Sequence, residues 1–195
     1  MATFGKTSVG DTGGNQWGNN KIACLFNLPE AANVTSISLY QRDYLEVGGE
    51  PIIYGMYDLA NNFKGATQAG VTTSGDVWLT LNYTSPLNLP VAGDYWLSAL
   101  FSARTEFWYS AGVANQWKTN SDTYTDGFSD PFGSSDSTNA WEMSIYATYT
   151  PAPLAEAPTP KFKKWDSWWY DHLRQAAKPV VPFADRFPKF VPRSF

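Results

Sequence analysis

The run DTYTDGFSDPFGSSD sets four carboxylates, Asp122, Asp126, Asp130 and Asp136, on one Gly-containing segment. Clustered oxygen ligands on such a segment are what Ca2+ binding needs, which makes Asp122, Asp126 and Asp130 candidate ligands. Their spacing is not the alternating Asp/Asn pattern of an EF-hand loop. Asp side chains beside Gly127, Pro131 and Gly133 also serve as turn caps, so nothing here demands a metal or cofactor. A second group is aromatic: Phe107, Trp108, Tyr109, Trp117 and Tyr124. Exposed aromatic faces beside amides and carboxylates are what a glycan-binding surface presents. Trp108, Trp117 and Tyr124 are the candidates, with Asn115, Gln116 and Asp122 at hand. Alternation along a strand puts Phe107 and Tyr109 on one face and Trp108 on the other. Trp117 follows an apparent loop and is the one expected to be most exposed.

Other reactive types are scarce. Glu106 and Glu142 are the acids flanked by strong strand pattern and would be the pair for glycoside hydrolysis. Charged residues at strand edges also serve solubility, and no enzyme is expected. The single cysteine, Cys24, lies on the inward phase of a strand and reads as a small core residue. The single histidine, His172, lies beside an apolar stripe and excludes any two-histidine metal site. The segment Gly10–Gly14 lacks the Lys-Ser/Thr element of a phosphate loop.

The elements that must position these groups divide by composition. Residues 1–150 hold 6 Lys+Arg against 14 Asp+Glu; residues 151–195 hold 8 against 4. The body is therefore at −8 and the tail at +4, a balance that argues against nucleic acid as a partner. Of the 13 prolines, 8 lie after residue 150, and none of the 15 glycines does. No apolar run is long enough to span a membrane. The opening MATFGKTSVGDTGG has neither the basic nor the apolar region of a secretory leader.

The body reads as all-β. Val77, Leu79, Leu81 and Tyr83 share a phase, as do Tyr95, Leu97, Ala99 and Phe101. Trp141, Met143, Ile145, Ala147 and Tyr149 read as one strand. Ile22, Cys24, Phe26 and Leu28 give another, and Thr35, Ile37 and Leu39 a further one. Weaker candidates are Thr3–Ser8, Pro51–Asp58 and Glu106–Ser110. Strands with one apolar face each must pair as two sheets, so a β-sandwich of jelly-roll type is expected over 1–150, with a barrel as the alternative.

The tail reads as a Pro-rich linker over 151–160, an amphipathic helix over 161–178 and an extended Pro/Phe-rich arm over 179–195. Phe162, Trp165, Trp169, Leu173 and Ala176 form one stripe at helical spacing, with Trp168 beside it. Phe183, Phe187, Phe190 and Phe195 punctuate the arm, with Arg186, Lys189 and Arg193 between them. Such a stripe has to be buried on something: its own body, another protein or a membrane surface. A basic arm with regular aromatic anchors suits a groove on a neighbour, including another copy of this acidic body. Phe162, Trp165, Trp168, Trp169, Leu173, Phe183, Arg186, Phe187, Lys189, Phe190, Arg193 and Phe195 are thus the candidate partner-binding residues.

Four segments carry a family resemblance: Thr3–Thr7 (TFGKT), Leu89–Leu97 (LPVAGDYWL), Asp122–Gly133 (DTYTDGFSDPFG) and Ile145–Tyr149 (IYATY). Together they make the body resemble a β-sandwich module of phage virion proteins, decoration or tail-associated, and of prokaryotic surface proteins. The resemblance stops at residue 150. It implies a non-enzymatic structural or adhesive domain and names no ligand. With the tail, it gives the expectation of a virion structural protein. Such a protein would be made in a host cytoplasm and placed at the virion surface, fastened to an assembly by its C-terminal helix and arm. The alternative is a carbohydrate-binding module of a surface or adhesion protein.

Overall fold

Strand follows strand along the described chain, and the turns between them carry the Gly, Asn and Asp that sequence reasoning marks as breakers. The computed structural model describes residues 1–153, one unit from Met1 to Pro153. The strands are Ala2–Gly5 (β1), Thr12–Gln16 (β2), Asn20–Leu28 (β3), Ala32–Asp43 (β4), Pro51–Asp58 (β5), Phe63–Ala66 (β6) and Gly70–Val71 (β7). They continue as Val77–Leu89 (β8), Gly93–Phe101 (β9), Thr105–Ala111 (β10), Trp117–Ser121 (β11), Ser137–Asn139 (β12), Trp141–Met143 (β13) and Ile145–Pro151 (β14). A single 3-10 turn, Tyr124–Asp126, interrupts them. Among the described residues no helix is long and apolar enough to cross a membrane. The expected helix over 161–178 and arm over 179–195, and the linker from Leu154 on, lie outside the described residues.

Two antiparallel sheets pack face to face. In the front sheet β4 runs beside β8 on one edge; on the other it meets β14 and then, at its far end, β10. β1 edges β14, while β2 and β13 pair β10. The back sheet runs β12-β11-β3-β9-β5, with β6 and β7 sharing the outer edge of β5. From β3 onward each long strand lies in the opposite sheet from the long strand before it.

The period-two stripes meet between the sheets. Ile22, Cys24, Phe26 and Leu28 of β3 and Tyr95, Leu97, Ala99 and Phe101 of β9 face Ile37 and Leu39 of β4 and Ile145 and Ala147 of β14. Full burial of aliphatic side chains of this size contributes ~1.5–3 kcal/mol each.

Two expectations need correction. The stretch from Trp141 to Tyr149 is not one strand. It changes partner at Ser144, pairing β10 before it and β4 after it. Ser144 sits at the fork, fully buried: its N–H donates to Trp108 O, its O accepts from Tyr40 N–H, and its Oγ accepts from Gly10 N–H. A small hydroxyl residue is what such a three-way junction accommodates. Likewise Thr35 does not share the buried face of Ile37 and Leu39. A bulge between Val34 and Ser36 moves the inward phase to Ala32 and Val34, and Thr35 is only half-buried, its Oγ1 donating to Thr148 O.

Candidate ligand-binding faces

The two sheets differ on their outer sides, and the sequence-predicted residues divide between them. Outward positions of the back sheet include Lys21 and Ala23 on β3, Trp96 on β9, Tyr57 on β5 and Lys118 on β11. All five are buried, because residues 122–136 fold across them. Phe132 is the centre of this cover, fully buried and 5.1 Å from the Tyr57 ring. Phe128 stacks on Phe63 at 5.6 Å and lies so close to β5 that a Cβ on Gly55 would stand 2.6 Å from its ring. Gly55 is glycine for that approach.

The cover is held by charge as well as by rings. Lys21 Nζ donates to Asp122 Oδ2 at 2.8 Å and to Ser129 Oγ, and stands 4.6 Å from the Phe132 ring centre. Ser129 N–H donates to the same Asp122 oxygen at 2.9 Å. Burial works to raise the Asp122 carboxyl, but the Lys21 ammonium and the Ser129 donors outweigh it and hold it below the usual carboxylate range. Lys118 has no carboxylate: its Nζ donates to Asn61 Oδ1 at 2.5 Å and lies 3.8 and 3.9 Å from the ring centres of Trp96 and Phe132. Burial, reinforced by the neighbouring Lys21 ammonium, pushes its amine down to about 8. Beside it is an open depression of about 550 Å3 lined by Ala60, Asn61, Pro131, Gly133, Ser134 and Ser135.

The acidic run therefore shapes a loop. Asp122 is paired with Lys21, Asp130 accepts from Phe63 N–H at 2.9 Å, and Asp136 accepts from Ser121 N–H at 2.8 Å. Asp126 is exposed on the 3-10 turn. Among the described residues no three acidic, histidine or cysteine side chains converge as a metal site would require.

The aromatic candidates separate. Trp117 is not exposed: it opens β11 opposite Cys24, turns inward with 4% of its surface accessible, and sits 4.8 Å from the Trp141 ring. Its ring is part of the core and is not available to a ligand. Tyr124 is half-buried on the turn, its N–H donating to Asn19 Oδ1 at 3.0 Å. Trp108 is the one that lies on an open sheet face, the outer side of the front sheet.

There it belongs to a band that the sequence reading missed. Tyr40 of β4 is opposite Trp78 of β8, with ring centres 5.4 Å apart. Trp108 lies 5.3 Å from Tyr40, and Tyr146 lies 5.0 Å from Trp78. The Arg42 guanidinium stands 5.7 Å from the Trp108 ring and bonds Glu106 at 2.6 Å. Beyond it Asn15 accepts from Arg104 at 2.9 Å, and the Arg104 guanidinium stands 4.3 Å from the Trp17 ring and 3.5 Å from that of Tyr44. Trp17 is 63% exposed. The available signal is phase: Tyr40, Trp78, Trp108 and Tyr146 each occupy the phase opposite to the apolar one on their own strand.

Glu106 and Glu142 also face outward on this sheet, tied to Arg42 at 2.6 Å and Lys6 at 3.1 Å. Glu142 pairs Ser110, four residues along β10 from Glu106. That is about 13 Å of strand at ~3.3 Å per residue. Glycosidase carboxyl pairs stand roughly 5–9.5 Å apart. Cys24 is fully buried, its Sγ accepting from Met143 N–H at 3.4 Å, and burial pushes its thiol up to about 12. His172 and all candidate partner-binding residues, from Phe162 to Phe195, lie outside the described residues. Among known proteins, no family model matches the chain and no curated protein matches it.

Proposed function

We propose that the chain is a structural protein of a virion, a capsid decoration or tail-associated protein, with a displayed β body and an attachment segment after Pro153. The observation that carries this reading is the contrast within one chain. A closed two-sheet unit ends at Pro153, and the sequence then continues through Phe195 with Trp and Phe anchors and a net +4 over 151–195. A body that buries its own core needs no such appendage for stability. A basic, aromatic segment supplies what a fastening element requires, namely apolar anchors with cationic steering. The alternation of successive long strands between sheets supports a jelly-roll sandwich for the body. In this reading the protein performs no catalysis, its partners are other virion proteins or its own copies, and it is made in the host cytoplasm and ends on the virion surface. Immunogold labelling with an antibody against residues 1–153 tests it. Labelled particle exteriors are expected; particles free of the chain would sink the proposal.

A further inference from the structure

We propose that the outer face of the front sheet is a glycan-binding platform for an extended neutral polysaccharide. The proposal does not rest on the virion reading. Four rings, Tyr146, Trp78, Tyr40 and Trp108, follow one another in that order with neighbouring centres 5.0–5.4 Å apart and planes tilted 60–80° to each other. All four are half-buried, so each is fixed by its neighbours yet keeps part of its surface in water.

The composition of the face selects the occupant. The outward positions of β4 from Ser36, of β8 up to Asn82, of β10, and of β14 up to Thr148 hold hydroxyl, amide, charged and aromatic side chains, and no aliphatic one. Protein interfaces are depleted in Ser, Thr and Glu around their aromatic anchors, whereas this face sets Ser38, Thr80, Glu106 and Ser110 among its rings. A sugar has little use for branched aliphatics. Its C–H faces stack on rings, and its hydroxyls pair with hydroxyl, amide and carboxylate groups beside them. Thr80 Oγ1 stands 2.7 Å from Ser38 Oγ next to the row, and Glu106 and Asn15 continue the polar flank.

Charge narrows it further. Arg42 is held by Glu106 at 2.6 Å, Glu46 at 3.2 Å and Asp76 at 3.5 Å, and Lys6 by Glu142 at 3.1 Å. Even with Arg104 at the end of the band, four carboxylates stand against three cations, so the face has no excess positive charge to hold phosphate, sulfate or uronate chains. Aromatic rows also receive single-stranded nucleic acid, but those grooves are basic. A neutral chain is what remains.

The test uses the full chain in native gels containing hydroxyethylcellulose, xylan or glucomannan. Retarded migration is expected with at least one of them, together with a shift of tryptophan fluorescence when the matching soluble oligosaccharide is added. Trp78→Ala and Trp108→Ala should each weaken retention about tenfold, the scale of one lost stacking partner. Trp78→Phe should restore most of it, and Leu59→Ser, on the far side of the molecule, should migrate as wild type. No retardation and no fluorescence shift with any of the three polymers would overturn the proposal. So would retention that survives both alanine substitutions in folded protein. A dimer in sedimentation that Trp78→Ala dissolves would assign the face to a second copy. The fluorescence arm needs no variant, so a substitution that fails to fold leaves the proposal testable.

Discussion

The outer faces of the two sheets began from the same rule and ended differently. On the back sheet, the outward phase of β3 and β9 mixes Ala23, Leu25, Trp96 and Leu100 with Lys21 and Ser98, and residues 122–136 fold across it, sealing Lys21 and Lys118 beneath Phe132. On the front sheet, β4 beyond its bulge, β8 up to Asn82 and β10 alternate, with Ile37, Leu39, Leu81 and Phe107 inside and Tyr40, Trp78 and Trp108 outside. Antiparallel sheets commonly leave one face to water. Here the back sheet has spent that freedom on a second core, while the front sheet fills it with aromatic rings that nothing in residues 1–153 covers. Buried aromatics on the back stabilise; half-exposed aromatics on the front are free to recognise.

Removing the cover should give the largest effect. Phe132→Ala deletes a fully buried ring. It should cost about 3–5 kcal/mol of unfolding free energy in urea. Because it also strips the ring from both ammonium groups, residues 122–136 should become the first site of proteolytic cutting. A loss below about 1 kcal/mol would show the cover to be an ornament on the back sheet and not its second core.

Next comes the charged latch. Asp122→Ala leaves the Lys21 ammonium buried without its carboxylate. That should cost about 3 kcal/mol at neutral pH. The folded Asp122 carboxyl titrates below its ordinary value of 3.8, so its contribution is present above that value and is lost as pH falls through the folded one. Below pH 3.8 the stabilities of wild type and variant should therefore converge in acid-titrated urea melts.

Lys118 works in the opposite sense. Its charged form is penalised by burial beside Lys21, and it titrates near 8 instead of 10.5. Lys118→Met should therefore stabilise the body by about 1–3 kcal/mol at pH 7. Between pH 8 and 10.5 the folded wild type sheds its proton before the unfolded chain does, so wild-type stability rises and the gap to the variant closes. Equal melting temperatures at pH 7 would show that Asn61 and the two rings already offset the burial.

The contrast also explains what was legible in the sequence. The strands whose two phases differ in character, Val77–Tyr83 for instance, were readable because alternation is a local signal. Pro51–Asp58 was found with its bounds intact. What failed was anything set by a distant partner. Ser144 breaks its strand only because Trp108 takes its N–H while Tyr40 takes its carbonyl, and Trp117 turns inward only because β11 pairs Cys24. The acidic run looked like a ligand set because its basic partner, Lys21, lies 101 residues away. On the platform, Trp108 alone drew notice, because its neighbours Tyr40, Trp78 and Tyr146 are gathered by register from three other strands. A list of outward-phase aromatics, one per strand, would have found the row.

The smallest expected effect is the sharpest test of the contrast, because it compares one residue type on two faces. Trp96 on the back sheet is 8% exposed under Lys118; Trp17 at the end of the front band is 63% exposed over Arg104. Trp96→Ala should cost about 3–5 kcal/mol, as a core truncation does. Trp17→Ser loses one exposed guanidinium contact, about 0.5–1 kcal/mol before the solvation gained by the serine. Its melting curve should therefore stay within about 0.5 kcal/mol of wild type. If Trp17→Ser melts as early as Trp96→Ala, the front band is part of the scaffold, and its rings are held by folding and not kept for a ligand. If the melt is unchanged while polysaccharide retention falls, the front face carries tryptophan that folding does not need, which is the mark of a surface kept for binding.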